Sequence, residues 1–161
     1  MKNLNLKGQF KVVCTDASGN EKWTQDFNNG IVDEGIAYLL DLGFNAANDD
    51  ISTWYIGLIG TLTTLAAGDT MASHSGWSED QQYSEAVRQT WGCGATAARS
   101  MTNATTADFS MNATTTINGI FITSSSTKGG TTGTLWSTAQ FSSAASVTSG
   151  DTLKVTYTIN G

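Results

Sequence analysis

The chain has no proline and a single histidine, and only 14% of its residues are charged. Without proline, its turns must be made by glycine, asparagine, aspartate and serine. One imidazole leaves His74 as the only histidine for base catalysis and excludes a histidine-rich metal cluster. So little charge means that Ser, Thr, Asn and Gly supply most of the polar surface. Lys and Arg number 8 against 14 Asp and Glu, for a net charge of -6. The basic residues are scattered, which argues against nucleic acid as a partner, because phosphate binding needs clustered Lys and Arg. No apolar run reaches the roughly 18 residues that a membrane span requires, so no membrane partner is expected. The first residues, Met1 to Lys7, lack the apolar core and cleavage site of a secretory signal, and synthesis in a cytoplasm is expected. Cys14 and Cys93 are no disulfide framework. They read as two buried thiols, with a bridge between them as the alternative.

What the chain does contain is strands. At 161 residues it fits one domain, residues 1–161, long enough to bury a sizeable core. Gln9 to Cys14 and Glu21 to Phe27 flank the turn-forming run Asp16 to Asn20 and predict an opening β-hairpin. From Ile31 to Phe44, Val32, Ile36, Leu39 and Leu40 recur near the spacing of one helix face, with Asp33 and Glu34 in the first turn. That predicts one amphipathic helix of about three turns, although Gly35 is a poor helix former. Ser52 to Gly60 is apolar on both faces and reads as a central strand, the most buried one. Thr61 to Asp80 reads as a long loop with one helical turn near Leu65 to Ala67. Tyr83 to Trp91, Phe109 to Ala113, Thr115 to Thr123, Thr134 to Phe141 and Asp151 to Asn160 read as strands. In the last of these, Leu153, Val155, Tyr157 and Ile159 share one face. About eight short strands at this spacing predict a mostly β fold, an antiparallel jelly-roll-like sandwich with one short helix. Asp69 after Gly68 and Asp151 after Gly150, each followed by Thr, read as recurring turn chemistry.

The candidate chemistry is thin. His74 lies near Ser73, Ser75 and Ser78, with Asp69 or Glu79 as a conceivable orienting carboxylate. Sequence proximity supplies no such geometry, and a loop histidine packed near Trp77 is the favoured reading. Asn48, Asp49 and Asp50 lack the spacing of a calcium loop. Asp69, Glu79, Asp80 and Glu85 are the carboxylates available to a glycosidase-like pair. The glycine pair Gly129 and Gly130 lacks the ending of a phosphate loop. No catalytic residue, metal site or cofactor is expected, and a structural or binding module is favoured over an enzyme. Binding would fall to aromatic and loop residues: Trp77 and His74 in the long loop, Trp54, Tyr83, Lys128 and Trp136, with Trp77 foremost. For any one of the tryptophans taken singly, a place in the hydrophobic core is the favoured reading.

The opening hairpin, NNGIVDEGIAYLLDLGF, STWYIGLIG, AAGDTMASHSGWSE, YSEAVRQTW and SSSTKGGTTGTLW together resemble small virion proteins of tailed bacteriophages, most of all those that decorate or cement the capsid. The resemblance covers nearly the whole chain. It implies a jelly-roll-type β-sandwich, a dimer or trimer seated on the major capsid protein, and a place in the virion after synthesis in the host cytoplasm. It carries no catalytic motif. Tail or fibre proteins of the same viruses, or a glycan-binding receptor module, are the alternatives. The contacts are expected from the 61–80 loop, the 124–133 loop and the N-terminal segment.

Overall fold

In the computed structural model, residues 5–45 and 50–161 are described. The opening hairpin forms where alternation and turn residues place it. Strands β1 (Lys7–Thr15) and β2 (Glu21–Asn28) pair antiparallel, with Gln9 opposite Asn28 and Cys14 opposite Trp23. Asp16 shapes the turn through Oδ1, which accepts the backbone N–H groups of Ser18 and Asn20 at 2.9 and 2.9 Å. Gly19 completes it at φ 84°, a conformation that glycine adopts without penalty.

The remaining strands are β3 (Gly30–Ile31), β4 (Trp54–Leu62), β5 (Trp77–Asp80), β6 (Gln89–Trp91), β7 (Ser100–Thr102), β8 (Ala107–Ser110), β9 (Thr115–Thr123), β10 (Leu135–Val147) and β11 (Thr152–Asn160). They form two antiparallel sheets. The first runs β2-β1-β11, with β7 and β8 both on the free side of β11; the second runs β3-β10-β9-β4, with β5 and β6 both on the free side of β4. First and last strands are neighbours along their whole length, from Lys7 opposite Asn160 to Thr15 opposite Thr152. The fold is thus the mostly β antiparallel sandwich expected from the strand pattern.

Between the sheets lie Phe10, Val12 and Cys14 of β1 with Leu153, Val155 and Tyr157 of β11, against Ile56, Leu58, Ile117, Ile120 and Ile122. Period-2 alternation puts these residues on one face of each strand. The outer face of the second sheet is also covered. Val32, Ile59, Met71, Trp77, Phe121 and Leu135 form a smaller core there. This second layer explains why β4 and β9 are apolar on both faces.

Several expectations need correction. The 61–80 stretch holds no helical turn: β4 runs on to Leu62, Thr70 and Ser73 form an isolated bridge, and Trp77 to Asp80 is a strand. Of Tyr83 to Trp91, only Gln89 to Trp91 is a strand. The polar stretch after Gly92 contains β7, which alternation did not reveal, and β10 extends to Val147, beyond the predicted Phe141. The most buried strand is β9 rather than β4, because β9 lies between two long strands whereas β4 has only short ones on its outer side.

The helix α1 (Asp33–Leu40) has 8 residues and continues into a π turn, Asp41–Asn45, so it is shorter than predicted. Its buried side is Val32, Gly35 and Tyr38; Ile36, Leu39 and Leu40 are exposed, not buried. Recurring turn chemistry is present as predicted. Asp69 Oδ2 accepts the Ala66 N–H at 3.0 Å and Asp151 Oδ2 accepts the Thr148 N–H at 2.8 Å, the same three-residue reach in both turns.

Candidate interaction surface

Over the outer face of the second sheet, Arg88 and Glu79 tie the 124–134 segment to β5. The Arg88 side chain is 0% exposed and that of Glu79 is 7% exposed. Arg88 Nε and Nη2 donate to the two carboxylate oxygens of Glu79 at 2.9 and 2.8 Å. The same guanidinium donates to the carbonyls of Ser125 and Gly130 at 3.0 and 2.8 Å. Glu79 Oε2 also accepts the Gly129 N–H at 2.7 Å. A bidentate pair whose guanidinium also donates to two carbonyls is a geometry in which burying two charges is tolerated. The 124–133 segment is therefore braced rather than free. Lys128 adds to this: Nζ donates to the carbonyls of Tyr83 and Glu85 at 2.8 and 2.7 Å and stands 4.0 Å from the centre of the Tyr83 ring. Tyr83 is buried, and burial, then the nearby Glu79 charge, pushes its phenol well above the usual tyrosine range.

Trp77 opens β5 and is 4% exposed, so it belongs to the core and not to a loop surface. Its indole Nε1 donates to Asp69 Oδ2 at 3.0 Å and its ring packs on Phe121. His74 stacks on it, ring centres 3.8 Å apart, with Nδ1 at 3.0 Å from the Trp77 carbonyl. A carbonyl only accepts, so Nδ1 carries the proton. With Met71 and Gly130 these residues line a recess of about 190 Å³.

The carboxylates considered for catalysis all hold structural bonds. Asp69 serves Trp77 and Ala66, and Glu79 serves Arg88 and Gly129. Asp80 accepts from the Gln82 N–H and the Thr115 hydroxyl, and Glu85 from the Ser110 N–H. Neither Asp69 nor Glu79 is paired with the imidazole of His74. Among the described residues no group of three or more His, Cys, Asp and Glu is placed to hold a metal ion; Asn48 and Asp49 lie outside those residues, as do Met1 to Leu4 of the N-terminal segment. Cys14 is buried and Cys93 is exposed, both as free thiols, so the expectation of two buried cysteines fails for Cys93.

Trp54 and Trp136 meet at the α1 end, away from Trp77 and His74. Trp136 is buried and donates through Nε1 to the Tyr157 hydroxyl at 2.9 Å. Trp54 is half-buried, its ring 5.9 Å from that of Trp136 and 5.5 Å from that of Tyr38. Tyr38, Leu39, Leu42, Trp54, Trp136 and Ile159 border a groove of about 190 Å³ with almost wholly apolar walls. The six predicted binding residues thus fall into two groups, and three of them, Trp77, Tyr83 and Trp136, are buried. Sequence reasoning missed the Arg88–Glu79 pair and the exposed side of α1. The second had a signal, since Tyr38 and the five apolar residues Ile36, Leu39, Leu40, Leu42 and Phe44 are more than one helix face can bury.

No protein-family model and no curated protein matches this chain.

Proposed function

We propose that this protein is a non-enzymatic structural component of a virion, a decoration or cement protein that binds the major capsid protein and stabilises the joints between capsomers. The observation that carries the reading is the Arg88–Glu79 brace. It fixes the 124–134 segment to β5 and to the stretch before β6, giving the sandwich a rigid surface, as a gripping module requires, and it ties up ionisable groups in architecture. The resemblance of the sequence to small tailed-phage virion proteins supports the same reading, and further copies of the chain, as a dimer or trimer, are its other partners.

The test is addition of purified protein to capsids that lack it. Saturable binding, together with loss of heat resistance in particles made without the protein, is the expected result. Capsids that neither bind the protein nor lose heat resistance in its absence would refute the proposal. Labelling of whole particles separates capsid from tail: label confined to the tail would replace decoration with a tail or fibre role.

A further inference from the structure

Burying an apolar helix face is the usual reason that a short helix is stable at all. Here α1 buries Gly35 and Tyr38, and α1 with the π turn that follows it leaves a second apolar side uncovered. Ile36 is 38% exposed, Leu39 37%, Leu40 53%, Leu42 40% and Phe44 89%. Scattered exposed apolar residues need no explanation, but a contiguous set beside a groove marks an interaction site. Leu39 and Leu42 belong to both features, since they also form one wall of the groove bordered by Trp54 and Ile159. Trp91 and Met101 also line it. A groove with aromatic walls that can take one large side chain is the form of an interface hot spot.

Charge decides what fits there. Between Lys22 and Arg88 the sequence contains no Lys or Arg, and the segment around the helix carries Asp33, Glu34, Asp41 and Asp50. Asp50 borders the groove itself, while Glu34 and Asp41 line the recess on the other flank of α1. Lys7 shares a recess with Ile36, and Arg99 lies two residues before Met101 of the groove. A two-fold dimer through this face would set the same acidic rim against itself, because such an interface uses one patch on both subunits. Like charges across an interface disfavour that partner.

We infer that the exposed side of α1 and its groove form the docking site for a different protein, one that inserts a large apolar side chain flanked by Lys or Arg. This rests on the proposed capsid function, with the capsid subunit as the partner, and it makes α1, which stands beside the braced 124–134 segment, the principal contact. The apolar anchor is bound in the groove and the basic flank meets Asp50 and Asp33.

The experiment uses shells assembled from the capsid subunit without this chain, and measures co-sedimentation of wild-type protein, a Leu39→Ser/Leu42→Ser variant, an Asp33→Asn/Asp50→Asn variant, and Val87→Ser as an exposed apolar control away from the site. Both leucines are partly exposed, so the fold is expected to survive, which circular dichroism and thermal melting check. Binding of the leucine variant is expected to fall by about tenfold or more, binding of the aspartate variant is expected to fall and to lose salt dependence, and Val87→Ser is expected to bind as wild type. Wild-type protein that ignores the shells overturns the capsid reading and this inference with it. Wild-type binding that the leucine variant matches overturns the inference alone. An aspartate variant that binds as tightly as wild type overturns the basic flank. Sedimentation velocity of the protein by itself is expected to show no self-association that depends on Leu39 and Leu42; if it does, the occupant is a second copy and the inference is wrong.

Discussion

Gly35 of α1 lies directly against the backbone of Trp136: a Cβ at residue 35 would stand 2.5 Å from the Trp136 carbonyl oxygen and 3.0 Å from its Cα. A glycine that weakens the helix locally is what lets the helix sit on the sheet. Replacing it with alanine raises helix propensity by about 1 kcal/mol, yet the new methyl meets rigid backbone. Gly35→Ala is expected to destabilise the protein by about 1–3 kcal/mol, read as a lower urea midpoint. An unchanged or higher midpoint would mean that the helix does not pack this closely.

Arg88 has no solvent to fall back on. Arg88→Ala leaves the Glu79 carboxylate buried without its cation and frees the Ser125 and Gly130 carbonyls, and a loss of about 3–5 kcal/mol is expected. Glu79→Gln/Arg88→Met, which removes both charges, is expected to be more stable than Arg88→Ala. Chemical denaturation of the two variants checks the order.

Trp77 fills the smaller core, and its indole is the donor to Asp69. Trp77→Ala is expected to cost about 3–5 kcal/mol, whereas His74→Ala, which removes a ring stacked on the outside, is expected to change the melting temperature little. A Trp77→Ala protein as stable as wild type would return this residue to the surface.

Asp151 joins the last turn to the hairpin through a 2.5 Å contact with Lys22 Nζ and a 2.8 Å bond from the Thr148 N–H. Burial pushes its carboxyl up, but the Lys22 and Thr148 hydrogen bonds outweigh burial and hold it below the usual range. The contribution is therefore fully present above the ordinary carboxylate pKa of about 3.9 and is lost as pH falls through the lower folded value. Lys22 is held above its ordinary range by the same bond, so its share is present below that range and lost as pH rises through the raised value. Asp151→Asn is expected to flatten the acid limb of a stability profile; an acid limb as steep as that of wild type would disprove the linkage.

The two thiols differ in access. Cys14 is buried, and burial, then the Asp151 charge, raises its pKa to about 11, whereas Cys93 is exposed. Since the thiolate is the reactive form, native protein at neutral pH is expected to titrate one thiol rapidly with an aromatic disulfide and the second only after unfolding. Cys93→Ser is expected to abolish the fast phase. Two equally fast thiols would contradict the burial of Cys14.

The sandwich and its opening hairpin were legible from the chain itself, because alternation in β11 and turn residues at Asp16 to Asn20 are local signals: side chains point to opposite faces of a strand whatever the strand packs against. The turns at Asp69 and Asp151 were legible for the same reason, as each aspartate bonds a backbone group three residues away. The existence of α1 followed from apolar spacing, but its orientation did not. Val32, Ile36, Leu39 and Leu40 satisfied the period, yet the close approach of Gly35 to the Trp136 backbone turns Tyr38 inward and leaves Ile36, Leu39 and Leu40 outside. The partnership of Arg88 with Glu79, and with carbonyls more than thirty residues onward, had no local signal. Such a pair is created when distant segments are brought together in a low-dielectric interior, where an unpaired charge is too costly to keep.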